Sequence, residues 1–356
     1  MNYYNKQTIK ESKNIAIALF IVFPEDKKYK EKNLLSQIEL SGIYLSYFQN
    51  KIQTLILSNN VNLIKKCSFY RRYNQNNITL FNLEDENLTL CKKEKNQTFQ
   101  YAFPKIDCLS IINDYFKKQA NFSHLIISDI DSIFLDINFL IEYVKNVKTI
   151  SAIDYYPDNY LKKDFQKMMK KLISSSLPDS FYLKDKRIKT KKMFWINSGF
   201  MIINKELLKH LPALCKSCYE WAVANKTYIK KSMGWGTEVV FSAIFNFLNG
   251  TRIETRHSKV ARFIWTCNIA LYLPYEIINP LNIPSHIHLP AIKWVDKQLQ
   301  ILTVLGRYKR LRFLSIFFIN IWGLTERIEN SSRSKIHFRV ILKLLSLTEK
   351  FIIRIL

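Results

Sequence analysis

Glycine is scarce in this sequence. It occurs 7 times in 356 residues, about 2% where roughly 7% is ordinary. Neither a G-x-x-x-x-G-K-[ST] phosphate loop nor a G-x-G-x-x-G dinucleotide loop is found. Acidic residues are also short: 29 Asp and Glu face 54 Lys and Arg, leaving a net charge of +25. Such an excess calls for an anionic partner, whether nucleic acid, acidic lipid or a phosphorylated substrate. Cysteine is thin and scattered, at positions 67, 91, 108, 215, 218 and 267. That excludes a disulfide scaffold and points to a reducing compartment. Cys215-Lys-Ser-Cys218 is a C-x-x-C without a second pair, so a structural zinc would lack half its ligands. Buried thiols are the simpler reading. The apolar runs Ile15 to Phe23 and Phe313 to Leu324 are both too short to span a bilayer.

At 48% hydrophobic and 23% charged, the chain is neither disordered nor fibrous, and it can bury a sizeable core. Lys6, Lys10 and Lys13 ahead of the first apolar run suit a signal peptide. No small-x-small cleavage site follows, however, and a buried strand ending at Pro24 explains the same residues. We favour the strand. Leu34, Leu35, Ile38, Leu45 and Phe48 have helical spacing over 33–50, and Thr54-Leu55-Ile56-Leu57 reads as a second strand. A helix around Ile111 to Phe116 precedes a third strand, His124-Leu125-Ile126-Ile127. Strands alternating with helices predict an α/β domain with a mixed, mostly parallel sheet flanked by helices. Ligands in such sheets bind beyond the carboxyl ends of the strands.

Two stretches hold most of the net positive charge. Residues 160–192 and 301–356 each carry 11 basic and 3 acidic residues, a net +8 apiece. We expect a catalytic domain over 1–300 and a basic amphipathic helical tail over 301–356. In that tail Arg339, Lys343, Lys350 and Arg354 fall within about 60° of one another on a helical wheel. Ile341, Leu345, Ile352 and Ile355 lie opposite. This pattern suits a helix lying on an anionic membrane surface.

Ser128-Asp129-Ile130-Asp131 follows directly after the third strand. Two carboxylates one residue apart at a strand end can converge on a hard cation, Mg²⁺ or Mn²⁺. Downstream, Asn197-Ser198-Gly199 reads as a polar turn before an apolar strand. Met233-Gly234-Trp235-Gly236-Thr237-Glu238 reads as a glycine-tryptophan loop presenting one carboxylate at a helix start. His286-Ile287-His288 and Lys293-Trp294 then supply imidazoles, a lysine and an indole. Three of the seven glycines, Gly199, Gly234 and Gly236, sit in these segments.

At these residues the sequence resembles the nucleotide-sugar glycosyltransferases of the Rossmann-like GT-A fold. It is most similar to the glycogenin and lipopolysaccharide-glycosyltransferase family, with its D-x-D, N-S-G and C-terminal H-x-x-G-x-x-K-P-W. His288-Leu-Pro-Ala-Ile-Lys293-Trp294 keeps the histidine and the Lys-Trp end but lacks the glycine and the proline. The Gly234-to-Glu238 segment is instead similar to the G-W-G-G-E of inverting galactosyltransferases. The resemblance covers residues 15–295 and rests on four short motifs.

What it implies is a metal-dependent hexosyltransferase. Asp131 would bind Mn²⁺ or Mg²⁺, Asp129 the metal or the ribose, and His288 would be the third ligand, with His286 the second choice. Lys293 would meet the diphosphate, and Asn197 and Ser198 the donor sugar or acceptor. Glu238 would deprotonate the acceptor if the enzyme inverts, or orient it if it retains. The expected partners are a nucleotide-sugar donor built on uridine diphosphate, a glycan or glycolipid acceptor, and the inner face of an anionic membrane, with the protein cytoplasmic and peripheral. A haloacid-dehalogenase-like phosphohydrolase also uses D-x-D after an apolar strand, but we find no late acidic pair to hold its Mg²⁺. Nucleic-acid binding would use the charge, yet no helix-turn-helix, zinc finger or stacking motif stands out.

Overall fold

The structure is a computed structural model. It describes residues 14–23, 28–73, 77–84, 104–119, 121–156, 167, 169–171, 194–224, 236–253, 259–263, 285–288, 296–307, 315 and 347. Lys293, Gly234, Trp235, Cys91, Cys267, most of the basic stretch 160–192 and nearly all of the tail beyond 307 lie outside these residues.

The first half of the chain alternates as its sequence predicts. Strand β1 (Ile15–Ile21) leads to α1 (Lys28–Ser46), and β2 (Gln53–Ser58) to α2 (Val61–Lys66) and α3 (Ser68–Arg72). Then come β3 (Ile78–Asn82), α4 (Pro104–Asp107), α5 (Leu109–Lys117) and β4 (His124–Ser128). The second half holds β5 (Ser132–Phe134), α6 (Ile137–Lys145), β6 (Ile150–Tyr156), β7 (Trp195–Asn204), α7 (Lys205–Ala224) and α8 (Gly236–Phe247). It ends with β8 (Thr251–Ile253), β9 (Ala261–Phe263), β10 (His286–His288) and α9 (Asp296–Arg307).

Seven strands form one sheet in the order β3-β2-β1-β4-β7-β6-β8. All its neighbours pair parallel except β7, which runs antiparallel to β4 and β6. The expected α/β class, with a mixed and mostly parallel sheet flanked by helices, is the one observed. Residues 15–21 form an inner strand, between β2 and β4, as the strand reading requires.

Burial on both faces explains why these strands read as unbroken apolar runs. Side chains alternate across the sheet, so Ala16, Ala18, Leu125 and Ile127 face one layer, packed with α5, α7 and α8. Ile15, Ile17, Leu19 and Ile126 face the other, packed with α1 and α6. Cys67, Cys108, Cys215 and Cys218 are free and buried, which agrees with the thiol reading. Burial pushes the Cys67 thiol up to about 12, so it is held protonated.

A second sheet, β5-β10-β9, stands beyond the end of β4. Its β5 is held to α1 by the Ser41 hydroxyl, which donates to the Ser132 carbonyl at 2.8 Å. Helix α9 runs across the expected boundary at 300 and packs on α1. Gly306 makes this approach possible, since a Cβ there would lie 2.5 Å from the Tyr44 ring. The Tyr44 hydroxyl in turn donates to the Leu302 carbonyl at 3.2 Å and contacts the Ser315 hydroxyl. No helix among the described residues is long and apolar enough to cross a membrane.

Candidate active site

The carboxyl ends of the parallel strands share one edge, and the motifs gather there. Asp129 and Asp131 occupy the short connection between β4 and β5. The Asp129 N–H donates to the Gly199 carbonyl at 2.9 Å, which ties the D-x-D turn to β7. Asp136, the next acidic residue, has a different task. Its side chain accepts from the Asn138 N–H at 3.0 Å and caps α6.

Asn197, Ser198 and Gly199 lie inside β7, and this corrects the expectation of a turn ahead of the strand. The physical reason is a register shift. Met201 pairs with Ala152 and Asn197 with Ile153, so three residues of β7 have no counterpart on β6. The strand bulges there without ending. The bulge takes polar side chains into a buried layer: Asn197 is 1% exposed and Ser198 6%.

Helix α8 receives them. Glu238, Ser242 and Asn246 recur every fourth residue, so they share one face of an otherwise apolar helix. The Glu238 carboxylate accepts from Trp195 Nε1 and Asn197 Nδ2, each at 3.1 Å, and from the Ser198 backbone N–H. Ser242 Oγ accepts from the Ile196 N–H at 3.0 Å. Asn246 accepts from the Phe194 N–H at 2.9 Å and donates to the Phe194 carbonyl at 2.7 Å. Asn197 Oδ1 accepts from the Gly199 N–H at 2.8 Å, which closes the bulge on itself. Glu238 stands in the first turn of α8, the helix start that the sequence suggested, but it is 5% exposed and built into the floor of the site. Burial raises its carboxyl from 4.5 to about 7. The Trp195 indole, the Lys105 charge and the Ser198 N–H oppose the rise, and Asp129 adds to it.

Lys105 is the residue that sequence reasoning missed. It stands on α4, 24 residues before Asp129, in no motif. Its Nζ pairs with Asp129 Oδ1 at 2.5 Å and donates to the Ser198 carbonyl at 2.8 Å. One ammonium thus joins the D-x-D turn to the N-S-G bulge. Pro104 opening a short helix was the one local signal for an ordered element there.

The histidines divide. His286 is fully buried, stacked on Phe200 at 4.1 Å, with its Nε2 3.3 Å from Ser128 Oγ. For His288 the backbone is described: antiparallel pairing sets it opposite Ser132, the residue after Asp131. The donor set fits a hard divalent cation, since two carboxylates share one strand-end turn and a histidine pairs one residue beyond them. Among the described residues, no group of three His, Cys, Asp or Glu side chains is gathered around a metal position.

No family model matches the chain, and no curated protein matches it. Solved structures do. One of them, a galactosyltransferase named LgtC in complex with donor and acceptor sugar analogues, aligns over 81% of this chain and 95% of that one. The two are 10% identical, and the TM-score is 0.43.

Proposed function

We propose that this chain is a glycosyltransferase of the GT-A kind that moves a sugar from a nucleotide diphosphate, with uridine diphosphate as the base case, to a glycan or glycolipid acceptor. The observation that carries the reading is the gathering, at one edge of the sheet, of Asp129 and Asp131, the Lys105 ammonium and the buried Asn197–Glu238 pair. Mn²⁺ or Mg²⁺, held by Asp129, Asp131 and His288, would neutralise the diphosphate and stabilise the departing nucleotide. Lys105, 12% exposed, adds a fixed positive charge beside the same carboxylate and can turn to an anionic phosphate. Lys293 would join it. Three donors converge on Glu238, which supports an orienting role: the carboxylate fixes Asn197 and Ser198 where a sugar would lie. The basic face at 339–354 supports attachment to the anionic inner face of a membrane.

Incubation with a panel of nucleotide sugars and Mn²⁺ tests the reading through release of the nucleotide diphosphate. Asp131→Ala should lower turnover by at least about a hundredfold at unchanged melting temperature. Full turnover in that variant would remove the metal assignment. For the membrane, sedimentation with anionic vesicles compares the full chain with one ending at residue 335. Equal binding by both would rule out the tail as anchor.

A further inference from the structure

His286 takes no part in the chemistry proposed above, yet it is the most enclosed polar ring of the site. It is 0% exposed. Phe200 stacks on it with an interplanar angle of 29°, and Phe134 meets it edge-on with centroids 4.9 Å apart. Four strands converge on this ring. β10 carries it, β5 supplies Phe134, β7 supplies Phe200, and β4 supplies Ser128, whose Oγ lies 3.3 Å from Nε2.

The Ser128 hydroxyl links this ring to the D-x-D turn. A serine hydroxyl has one hydrogen. Ser128 Oγ reaches two groups, the Asp129 carbonyl at 3.1 Å, which can only accept, and His286 Nε2 at 3.3 Å; donation to the carbonyl leaves the same oxygen to accept from Nε2. In that arrangement the imidazole carries its proton on Nε2. The chain runs His286 Nε2–H to Ser128 Oγ–H to the Asp129 carbonyl. The other end of that residue is held as well, because the Asp129 N–H donates to Gly199. Phe200, next to Gly199, pairs in register with Ser128, so the ring and the strand that grips Asp129 are one packed unit.

We propose that His286 is a positioning residue: through the Ser128 hydroxyl it locks the backbone of Asp129 and so sets where the first D-x-D carboxylate stands. Its consequence for turnover rests on the glycosyl-transfer reading, but its geometry does not. An aromatic ring without the N–H would fill the same space and lose the lock, which separates positioning from packing.

Full-length protein labelled with ¹⁵N-histidine reports the ring directly, with His286→Gln identifying its signals. We expect the neutral Nε2–H tautomer, and a shift of that signal in Ser128→Ala. A proton on Nδ1, or a signal indifferent to Ser128→Ala, would overturn the assignment. In turnover of a nucleotide sugar, Ser128→Ala and His286→Phe should each lower kcat about tenfold while KM moves less than about twofold. The double variant should be no slower than the slower single one, because both break the same chain. His286→Gln, which retains an N–H donor, should recover about half of the loss on a logarithmic scale. Losses that multiply in the double variant, or an unimpaired His286→Phe, would refute the lock. If His286→Phe does not fold, the ring spectrum and Ser128→Ala decide. A wild type without turnover would end the glycosyl-transfer reading and leave the spectrum to judge the lock.

Discussion

The two halves of the sheet use one device at different depths. Where β1 ends, Asn59 accepts from the Phe23 N–H at 2.8 Å and donates to the Phe23 carbonyl at 3.0 Å. Ahead of β7, Asn246 makes the same pair of bonds to Phe194. Each asparagine amide substitutes for one residue of a neighbouring strand. In the all-parallel half the amide comes from the adjoining strand end and is half-buried. In the half containing the reversed strand it comes from a helix, is 4% exposed, and stands in line with Ser242 and Glu238. The parallel half is held chiefly by apolar layers. The reversed half adds a buried polar stripe to such layers, and unpaired polar groups at that depth are expensive, so its geometry is more narrowly set.

The largest expected effect that tests this contrast is a pH dependence. Glu238 titrates at 4.5 when exposed and at about 7 in the folded chain. Between these values the unfolded chain has released the proton and the folded chain still holds it, so stability falls as pH rises from 4.5 to 7 and is then level. The shift corresponds to about 3 kcal/mol. Thermal unfolding from pH 5 to 8 should show this decline, and Glu238→Gln should flatten it. Turnover should rise over the same window as the carboxylate that the three donors expect is formed. An identical decline in Glu238→Gln would show that burial of this carboxyl is not what sets the slope.

Next in size is the paired comparison of the asparagines. Asn246→Ala removes a buried amide that serves the Phe194 N–H and carbonyl and also donates to the Ser242 carbonyl, and should cost about 2–3 kcal/mol. Asn59→Ala removes a half-buried amide whose place water can take more readily, and should cost about 1 kcal/mol. Urea unfolding of the two variants measures the difference. Equal losses would mean that the halves are not held differently.

The same contrast decides what could be read from the sequence. Strands β1, β2 and β4 and helices α1 and α5 were legible because burial on both faces, or on one helical face, writes itself into local apolar patterns. Asp129 and Asp131 were legible as acids directly after such a strand. The N-S-G segment was placed in a turn because three polar or small residues interrupt an apolar run. Only the register of β6 against β7, set by pairs far apart in the sequence such as Ala152 with Met201 and Ile153 with Asn197, shows that the strand continues through them. Glu238 was found, but its burial was not, since the donors Trp195 and Asn197 are 43 and 41 residues away. The stripe Glu238-x-x-x-Ser242-x-x-x-Asn246 was in plain view as a four-residue polar period inside an apolar helix. Lys105 carried no signal at all, because one lysine among 54 basic residues is invisible until the fold sets it beside Asp129.

Lys105 is also where the two halves meet, and its removal is the smallest change to the fold with a clear expectation. It joins Asp129, from the last parallel strand, to the Ser198 carbonyl of the reversed one. The pair with Asp129 is partly open to water, at 12% and 32% exposure, so screening leaves it less than about 1 kcal/mol of stability. Lys105→Met keeps the length of the stem and removes the charge. Its unfolding midpoint should therefore stay close to wild type. If the ammonium serves a diphosphate, the same variant should bind uridine diphosphate about tenfold more weakly or worse, the value of one charge-assisted hydrogen bond. Calorimetric titration read beside urea unfolding separates the two roles. Weaker binding at unchanged stability makes Lys105 a ligand contact. Lost stability at unchanged binding makes it a brace between the halves, and the contrast between them would then depend on a lysine that no local pattern marks.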